Sequence, residues 1–396
     1  MEFESRQDEM MERSGGGIDA LSDDALAHIL VRLPSVSVLR CRAVCKDWRR
    51  VTTDGSFLAA HAAGRPREMV VRVRKHPCAA VQAMSLEPSR QEQQTFRALC
   101  DYDLGGDFEN VVYSLDGLLV LRQWRHELFV VCNPATRQWT NLPEMGSYCA
   151  VFECGFYLHA SSGEYRLLCH AIKKDKEPFT HSNFKPETRR RYYILSAGAI
   201  LPRELGPAPS NPSGDAPVYE VPVAHGGNLH WLSKHPQARH TGKMLAFNTA
   251  SETFRLMSQP SPHNTVRTSL FELDGELCVA AMSKCFTSLH IWGLQDYKAE
   301  TWTLLHRVHV PVPDQVPASV SKVVSLGNGV VLIGCPTSDL ARMYHLKDKR
   351  VVCGDLRFGR VVDGRFLVYH ESLVPHDFFD SPRSPNIETI YFYQGS

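Results

Sequence analysis

The chain reads as an α+β multidomain protein: a small three-helix unit, then an all-β domain built as a five- or six-bladed β-propeller. Three observations predict this. Short helical apolar patterns occupy residues 21–57, the first of them ended by Pro34. After about residue 69 the chain breaks into short β-type runs separated by Gly, Pro, Asn and Asp. Those runs repeat at intervals of about 50 residues, each opening on a turn followed by an apolar strand.

The helical unit comes first. Ser22 or Asp23 suits an N-cap, and Asp23 and Asp24 favour the positive end of a helix. Leu26, Ile29, Leu30 and Leu33 fall at i, i+3, i+4 and i+7, one continuous stripe, and Pro34 ends it. Val38, Leu39, Val44, Cys45 and Trp48 extend the apolar surface through two further helical stretches, with Phe57 closing the pattern. A unit of about 40 residues rarely buries a sufficient core alone. Each Leu or Ile left exposed forgoes roughly 1.5–3 kcal/mol. The segment therefore wants a partner.

The β domain follows. Asp116-Gly117, Gly226-Gly227, Asp274-Gly275 and Asn328-Gly329 are each turns that lead into an apolar strand. From the turn glycine to a large apolar residue in a later strand, the spacings are 22 (Gly117 to Trp139), 27 (Gly227 to Phe254), 27 (Gly275 to Trp302) and 22 (Gly329 to Val351). A second mark recurs six apart: Asn133 with Trp139, Asn248 with Phe254, and Asp296 with Trp302. Turn-forming residues follow the first member, as in Asn133-Pro134-Ala135-Thr136. His159 and Tyr165 read as a degenerate copy. The 110 residues from Gly117 to Gly227 leave room for two units. The last such turn, at Asp363-Gly364, has little chain after it, so strands near 69–75 or 95–104 are expected to complete that blade and hide its edge. A two-sheet sandwich is the structural alternative.

Residues 21–57 resemble the F-box, a motif of about forty residues that docks on a Skp-type adaptor. The resemblance rests on L-x-D-D-x-L-x-x-I-L-x-R-L-P, then V-C-K-x-W-R and the trailing phenylalanine. Ser22 stands where the family usually has proline, which alters the opening turn rather than the stripe. The resemblance implies that Leu21, Leu26, Ile29, Leu30, Leu33, Pro34, Leu39, Val44, Cys45 and Trp48 bind the adaptor. From residue 69 the chain resembles the F-box-associated repeat region of plant F-box proteins. The carriers are D-G-L-L, N-P-A-T-R-Q-W, S-S-G-E-Y-R-L-L and G-N-L-H-W-L. The stricter kelch pattern is met only partly, around Gly226-Gly227. The domains expected are a disordered leader (1–17), an F-box (18–60), a connector (61–68), a kelch-like propeller (69–380) and a tail (381–396). A helical cap folding onto its own chain is the plainer reading of the N-terminal unit.

Composition excludes several classes. Lys+Arg number 44 against 43 Asp+Glu, a formal net charge of +1, which is no nucleic-acid or polybasic membrane footprint. Mean hydropathy is −0.24, and no run approaches the roughly 18 apolar residues of a membrane span. Twelve cysteines occur without a CxxC pair, so reduced thiols in the cytoplasm or nucleus are expected. No G-x-S-x-G, P-loop or G-x-G-x-x-G is present.

Candidate sites are few. His225, His230, His235 and His240 are spaced by five, which matches neither a helix face nor a strand face, so surface and loop histidines are expected rather than a metal site. Asp101-Tyr102-Asp103 resembles a calcium loop until the twelfth position, which is Val112. Lys173, Lys174, Lys176, Lys185, Arg189, Arg190 and Arg191 form a basic stretch; Lys173, Lys174, Arg189, Arg190 and Arg191 would suit an acidic or phosphorylated target, though a solvated loop between strands is the favoured explanation of the stretch. Prolines 202, 207, 209, 212 and 217 mark a second long loop. Trp124 lines either core or binding face, whereas Trp231 sits in an apolar strand and reads as core.

No cofactor and no catalytic group is expected. The resemblance implies a non-catalytic substrate receptor of an SCF-type ubiquitin ligase. Its F-box would hold a Skp-type adaptor, and through it cullin and RING subunits, while the propeller would hold a target protein. Neither nucleic acid nor membrane is an expected partner. The rival is an F-box scaffold or sequestering protein acting outside a ligase. A propeller hydrolase or copper oxidase ranks third, and a carbohydrate-binding propeller is conceivable.

Overall fold

The computed structural model describes residues 21–75, 78–87, 96–103, 110–123, 128–145, 148–173, 190–206, 221–232, 243–260, 265–285, 287–309, 322–335, 340–353, 356–357, 366–385 and 390–393. The leader 1–17 lies outside them.

Four helices form the N-terminal unit: α1 (Asp23–Leu30), α2 (Ser35–Cys41), α3 (Lys46–Thr53) and α4 (Gly55–Ala63). The sequence reading expected three. The fourth begins because Asp54 caps it, accepting from the N–H groups of Ser56 (2.9 Å) and Phe57 (3.3 Å). It runs across the expected boundary at 60. Ser22 is the N-cap of α1, its hydroxyl accepting from Ala25 N–H at 3.3 Å. The serine thus supplies the cap acceptor that proline lacks. Side chains from α4 and just after it satisfy carbonyls just past α1: His61 Nε2 bonds the Leu33 carbonyl (3.0 Å) and Arg65 reaches that of Val31 (3.3 Å).

Six sheets follow, and they form the six blades of a propeller. Blade 1 spans 110–141, blade 2 148–206, blade 3 223–258, blade 4 265–309 and blade 5 322–357. Blade 6 is the closure, ordered Leu367–Tyr369, Glu68–Lys75, Cys78–Ser85, Phe96–Asp103 and Ile390–Phe392. Both early segments proposed from sequence lie in it, with the C-terminal chain supplying the innermost and outermost strands.

The turn marks have a conformational cause. Asp116-Gly117, Gly226-Gly227, Asp274-Gly275 and Asn328-Gly329 all have positive φ at both residues, the type I′ geometry of two-residue hairpins. The six-residue mark is an Asx turn. Asn133 Oδ1 accepts from Ala135 and Thr136 N–H (3.0 and 3.3 Å), Asn248 from Ala250 and Ser251 (3.1 and 2.8 Å), and Asp296 from Lys298 and Ala299 (2.8 and 2.9 Å). Blade 5 carries a further version, His345 Nδ1 accepting from Asp348 N–H at 3.1 Å. His159 and Tyr165 are not a copy of this turn. They flank the hairpin between the first two strands of blade 2, Tyr148–His159 and Glu164–Lys173.

Alternation in the second strand of blade 1 shows how the ring is packed. All of Leu118–Gln123 is buried. Leu118 and Val120 join the core shared with blade 2, while Leu119 and Leu121 join the core shared with blade 6. Similar cores fill the interfaces of blades 2 and 3, 3 and 4, 4 and 5, and 5 and 6. Each strand face therefore serves a different neighbour. Polar groups also cross these interfaces. Arg122 of blade 1 pairs with Glu153 of blade 2 (2.8 Å), and Trp231 of blade 3 donates its indole N–H to the Cys154 carbonyl of blade 2 (2.9 Å).

Candidate functional site

The helical unit divides the predicted adaptor residues into two sets. Leu26 and Leu30 turn inward with Val38, Val51, Phe57 and Leu58. Ile29 is 51% exposed, Val44 63% and Leu21 41%, and Pro34 and Cys45 are exposed as well. Leu33, Leu39 and Trp48 are half-buried at the rim. The continuous stripe read from sequence thus splits. Helix α1 ends at Leu30, three residues before Leu33, and on so short a helix Leu26 and Leu30 share the face that meets α3. Cys45 caps α3, its Sγ accepting from Trp48 N–H at 3.5 Å. Arg50 of α3 grips both carboxylate oxygens of Asp23 at the start of α1 (2.7 and 2.9 Å), and that bond holds the Asp23 carboxyl below its usual range. Leu21, Ile29 and Val44 are thus large apolar side chains left in solvent outside the buried helical cluster.

The other face of the helical unit is fixed to the propeller. Residues 371–380 form a strap between them. Leu373 is buried in the helical core, with Val374 and Ala135 packed beside it. Ser35, the first residue of α2, donates its hydroxyl to Glu371 Oε2 at 2.5 Å. Glu371 also accepts from Arg97 Nη1 (3.1 Å), and Arg97 pairs with Glu68 as well. Burial works against the Arg97 cation, but these two carboxylates more than offset it and raise its pKa. Asn133, already the acceptor of its Asx turn, uses its amide to donate to the Ser372 carbonyl at 3.0 Å. Gly117 lies under the strap at φ +83°, where a Cβ would come 2.4 Å from that of Ser372. The strap ends in a 3-10 turn, Asp377–Asp380, whose Phe379 enters the core between blades 1 and 2. The helical unit therefore sits on the tight-turn face of blade 1. Sequence reading missed the strap because nothing local marks it: Ser35 and Glu371 are 336 residues apart.

The predicted basic site lies at the other end of blade 2. Lys173 closes the strand Glu164–Lys173 and Arg190 opens the strand Arg190–Ser196, away from the turn at 160–163. Lys174 and Arg189 lie outside the described residues, as do Lys176 and Lys185. Arg191 is exposed and engaged by Glu204 at 2.5 Å, so it stands as half of an ion pair rather than as a bare cation. Trp124 and prolines 207, 209, 212 and 217 also fall outside the described residues, whereas Trp231 is core.

Among the described residues no group of three His, Cys, Asp or Glu side chains is placed to hold a metal. His230 is buried and fully engaged. Its Nδ1 donates to the Val223 carbonyl (3.1 Å) and its Nε2 accepts from the Tyr297 hydroxyl (2.9 Å). Burial, aided by the nearby His225 and Arg255, pushes its pKa down to about 4. His235 and His240 lie outside the described residues. A cavity of about 430 Å³ marks the propeller axis, reached by Ser114, Val223, Phe271, Val323 and Val368 of five inner strands. No described helix is long and apolar enough to cross a membrane.

Comparison with known proteins agrees with this architecture. The family described as "F-box domain" matches residues 18–59, and that described as "F-box associated beta propeller domain" matches residues 74–376. The Arabidopsis thaliana "F-box protein At3g07870" is 23% identical over 383 residues, covering 90% of this chain and 89% of its own length. The "F-box protein At5g49610" of the same plant is 24% identical over 302 residues, covering 72% of this chain and 78% of its own.

Proposed function

The chain belongs to the F-box-associated β-propeller family, and from that premise we propose that it is the substrate-recognition subunit of an SCF-type ubiquitin ligase. The single observation that carries this reading is the division of the helical unit into two faces. One face is fastened to the propeller through Leu373, Ser35 and Glu371. The other leaves Ile29, Val44 and Leu21 in solvent. F-box domains bind Skp1-type adaptors, and an adaptor groove lined with apolar groups suits such a surface. Leu26 and Leu30 shape the docking face from beneath; Ile29, Val44, Leu21, Pro34 and Cys45 make the contact, with Leu33, Leu39 and Trp48 at its rim.

The chain contributes no nucleophile in this scheme. Its propeller holds a target protein near the ubiquitin donor, and the rate gain comes from the raised effective concentration of a target lysine. The place proposed for the chain is the cytoplasm or nucleus. Lys173, Lys174, Arg189, Arg190 and Arg191 remain the proposed contacts for an acidic target; of these, Lys173 and Arg190 lie at strand ends of blade 2 away from its tight turn.

The test is co-expression of the full chain with a Skp-type adaptor, comparing wild type with Ile29→Asp and Val44→Asp. Both side chains are exposed, so surface substitution should change folding stability by no more than about 0.5 kcal/mol. A carboxylate buried in an apolar groove costs several kcal/mol, so each variant should weaken binding at least about 100-fold. Folded variants that bind as well as wild type would overturn the assignment of this face.

A further inference from the structure

The C-terminal tail carries Ser381-Pro382-Arg383-Ser384-Pro385, two serine–proline steps within five residues. A following proline restricts the serine to extended backbone. Pro382, Arg383 and Pro385 are exposed, and residues 381–385 are neither helix nor strand. The tail thus offers an extended Ser-Pro peptide at the surface.

Ser384 is also where the tail is fastened. Its backbone N–H donates to Asn141 Oδ1 at 2.9 Å, and its hydroxyl donates to the carboxylate of Glu144. The guanidinium of the preceding Arg383 lies 4.2 Å from the ring centre of Trp139. All three attachments fall on residues 139–144, at the outer edge of blade 1. Further on, Ile390–Phe392 adds the outermost strand of blade 6, pairing Ile390 with Tyr102 and Phe392 with Cys100. The tail therefore staples two neighbouring blades together from outside.

We propose that Ser384 is a phosphorylation site for a proline-directed serine kinase, and that phosphate there undoes this staple. The transfer moves the γ-phosphoryl group of a nucleoside triphosphate to Ser384 Oγ. The new P–O bond forms as the bond to the bridging oxygen breaks, the hydroxyl proton passes to the kinase's base, and nucleoside diphosphate leaves. The product replaces a hydrogen-bond donor with a group of about −1.5 to −2 charge that can only accept. It then faces the Glu144 carboxylate, so an attraction becomes a repulsion between anions. Arg383 is drawn towards the phosphate and off the Trp139 face, removing the cation–π contact. Exposed segments outside helix and strand open locally more readily than a core, which brings the half-buried Ser384 within reach of a kinase. Once released, the tail leaves the strand Phe96–Asp103 as an unpaired sheet edge able to accept another strand.

The experiment uses the full chain, a proline-directed serine kinase and Mg-ATP. Phosphate is mapped by tandem mass spectrometry, and hydrogen exchange is compared before and after modification. The expected result is phosphate on Ser384, absent in Ser384→Ala. Exchange at residues 100–102 and 390–392 should quicken roughly ten-fold, while residues 276–283 of blade 4 stay unchanged. Ser384→Glu should reproduce part of the effect and Ser384→Ala much less. Failure to modify Ser384 while a Ser-Pro control peptide is modified would overturn the site. Unchanged exchange after stoichiometric modification would overturn the release. So would slower exchange, since it would mean that Arg383 pairs with the phosphate and tightens the tail.

Discussion

Replacing Leu373 by alanine probes whether the helical unit is held by the strap. Leu373 is 1% exposed and sits in a core whose other fully buried members all come from the helices: Leu26, Leu30, Val38, Val51, Phe57 and Leu58. Deleting about three carbons at roughly 0.8 kcal/mol each, with a term for the cavity left behind, costs about 3 kcal/mol. A unit this small has little stability to spare without outside contacts. The loss should therefore fall on the helices and their attachment, leaving the blades alone. Native-state hydrogen exchange separates the two, because each region opens with its own free energy. At about 1.4 kcal/mol per factor of ten, protection within 23–63 should fall about 100-fold, with residues 276–283 unaffected. Parallel loss of protection in the blades would refute a separately held unit. A change below two-fold in the helices would refute the role given to Leu373.

Two further outcomes follow from the same geometry. Gly117→Ala places a Cβ at 2.4 Å from that of Ser372, on a residue at φ +83°, so both sterics and backbone oppose it; a loss of about 2 kcal/mol or more is expected in urea unfolding, together with weaker protection of the helical unit. His230 gives a pH signature: its folded pKa of about 4 lies below the usual 6.5, so its contribution is present above 6.5 and is lost as the pH falls towards 4. The shift corresponds to about 3 kcal/mol; the stability difference between wild type and His230→Gln should shrink by that order between pH 7 and 4 in urea titrations, and a constant difference would contradict the buried neutral imidazole.

What the sequence disclosed, and what it hid, follows the range of the interactions. The blade marks were legible because each is local: Asp116-Gly117 or Asn133 to Thr136 dictates its own backbone through positive φ or an Asx turn. Blade 2 was harder to read because its third-to-fourth strand turn, 197–202, lacks the Asx acceptor used in blades 1, 3 and 4. Blade number needed the closure, where Leu367–Tyr369 pairs with Glu68–Val70 from the far end of the chain. The packing of the helical unit was half legible. An i, i+3, i+4, i+7 pattern shows that apolar residues cluster, but not which of them face a core completed by Leu373. The basic stretch is the least legible part, since charge spacing around 173–191 could not reveal that Glu204 engages Arg191.

The most direct measurement of the central claim is the composition of the complex formed when the full chain is mixed with a Skp-type adaptor, cullin and RING subunit. Size-exclusion chromatography with light scattering reads the mass. One assembly containing each component once is expected, lost with Val44→Asp. A chain that binds the adaptor yet never recruits cullin would contradict the ligase reading and leave a scaffold in its place.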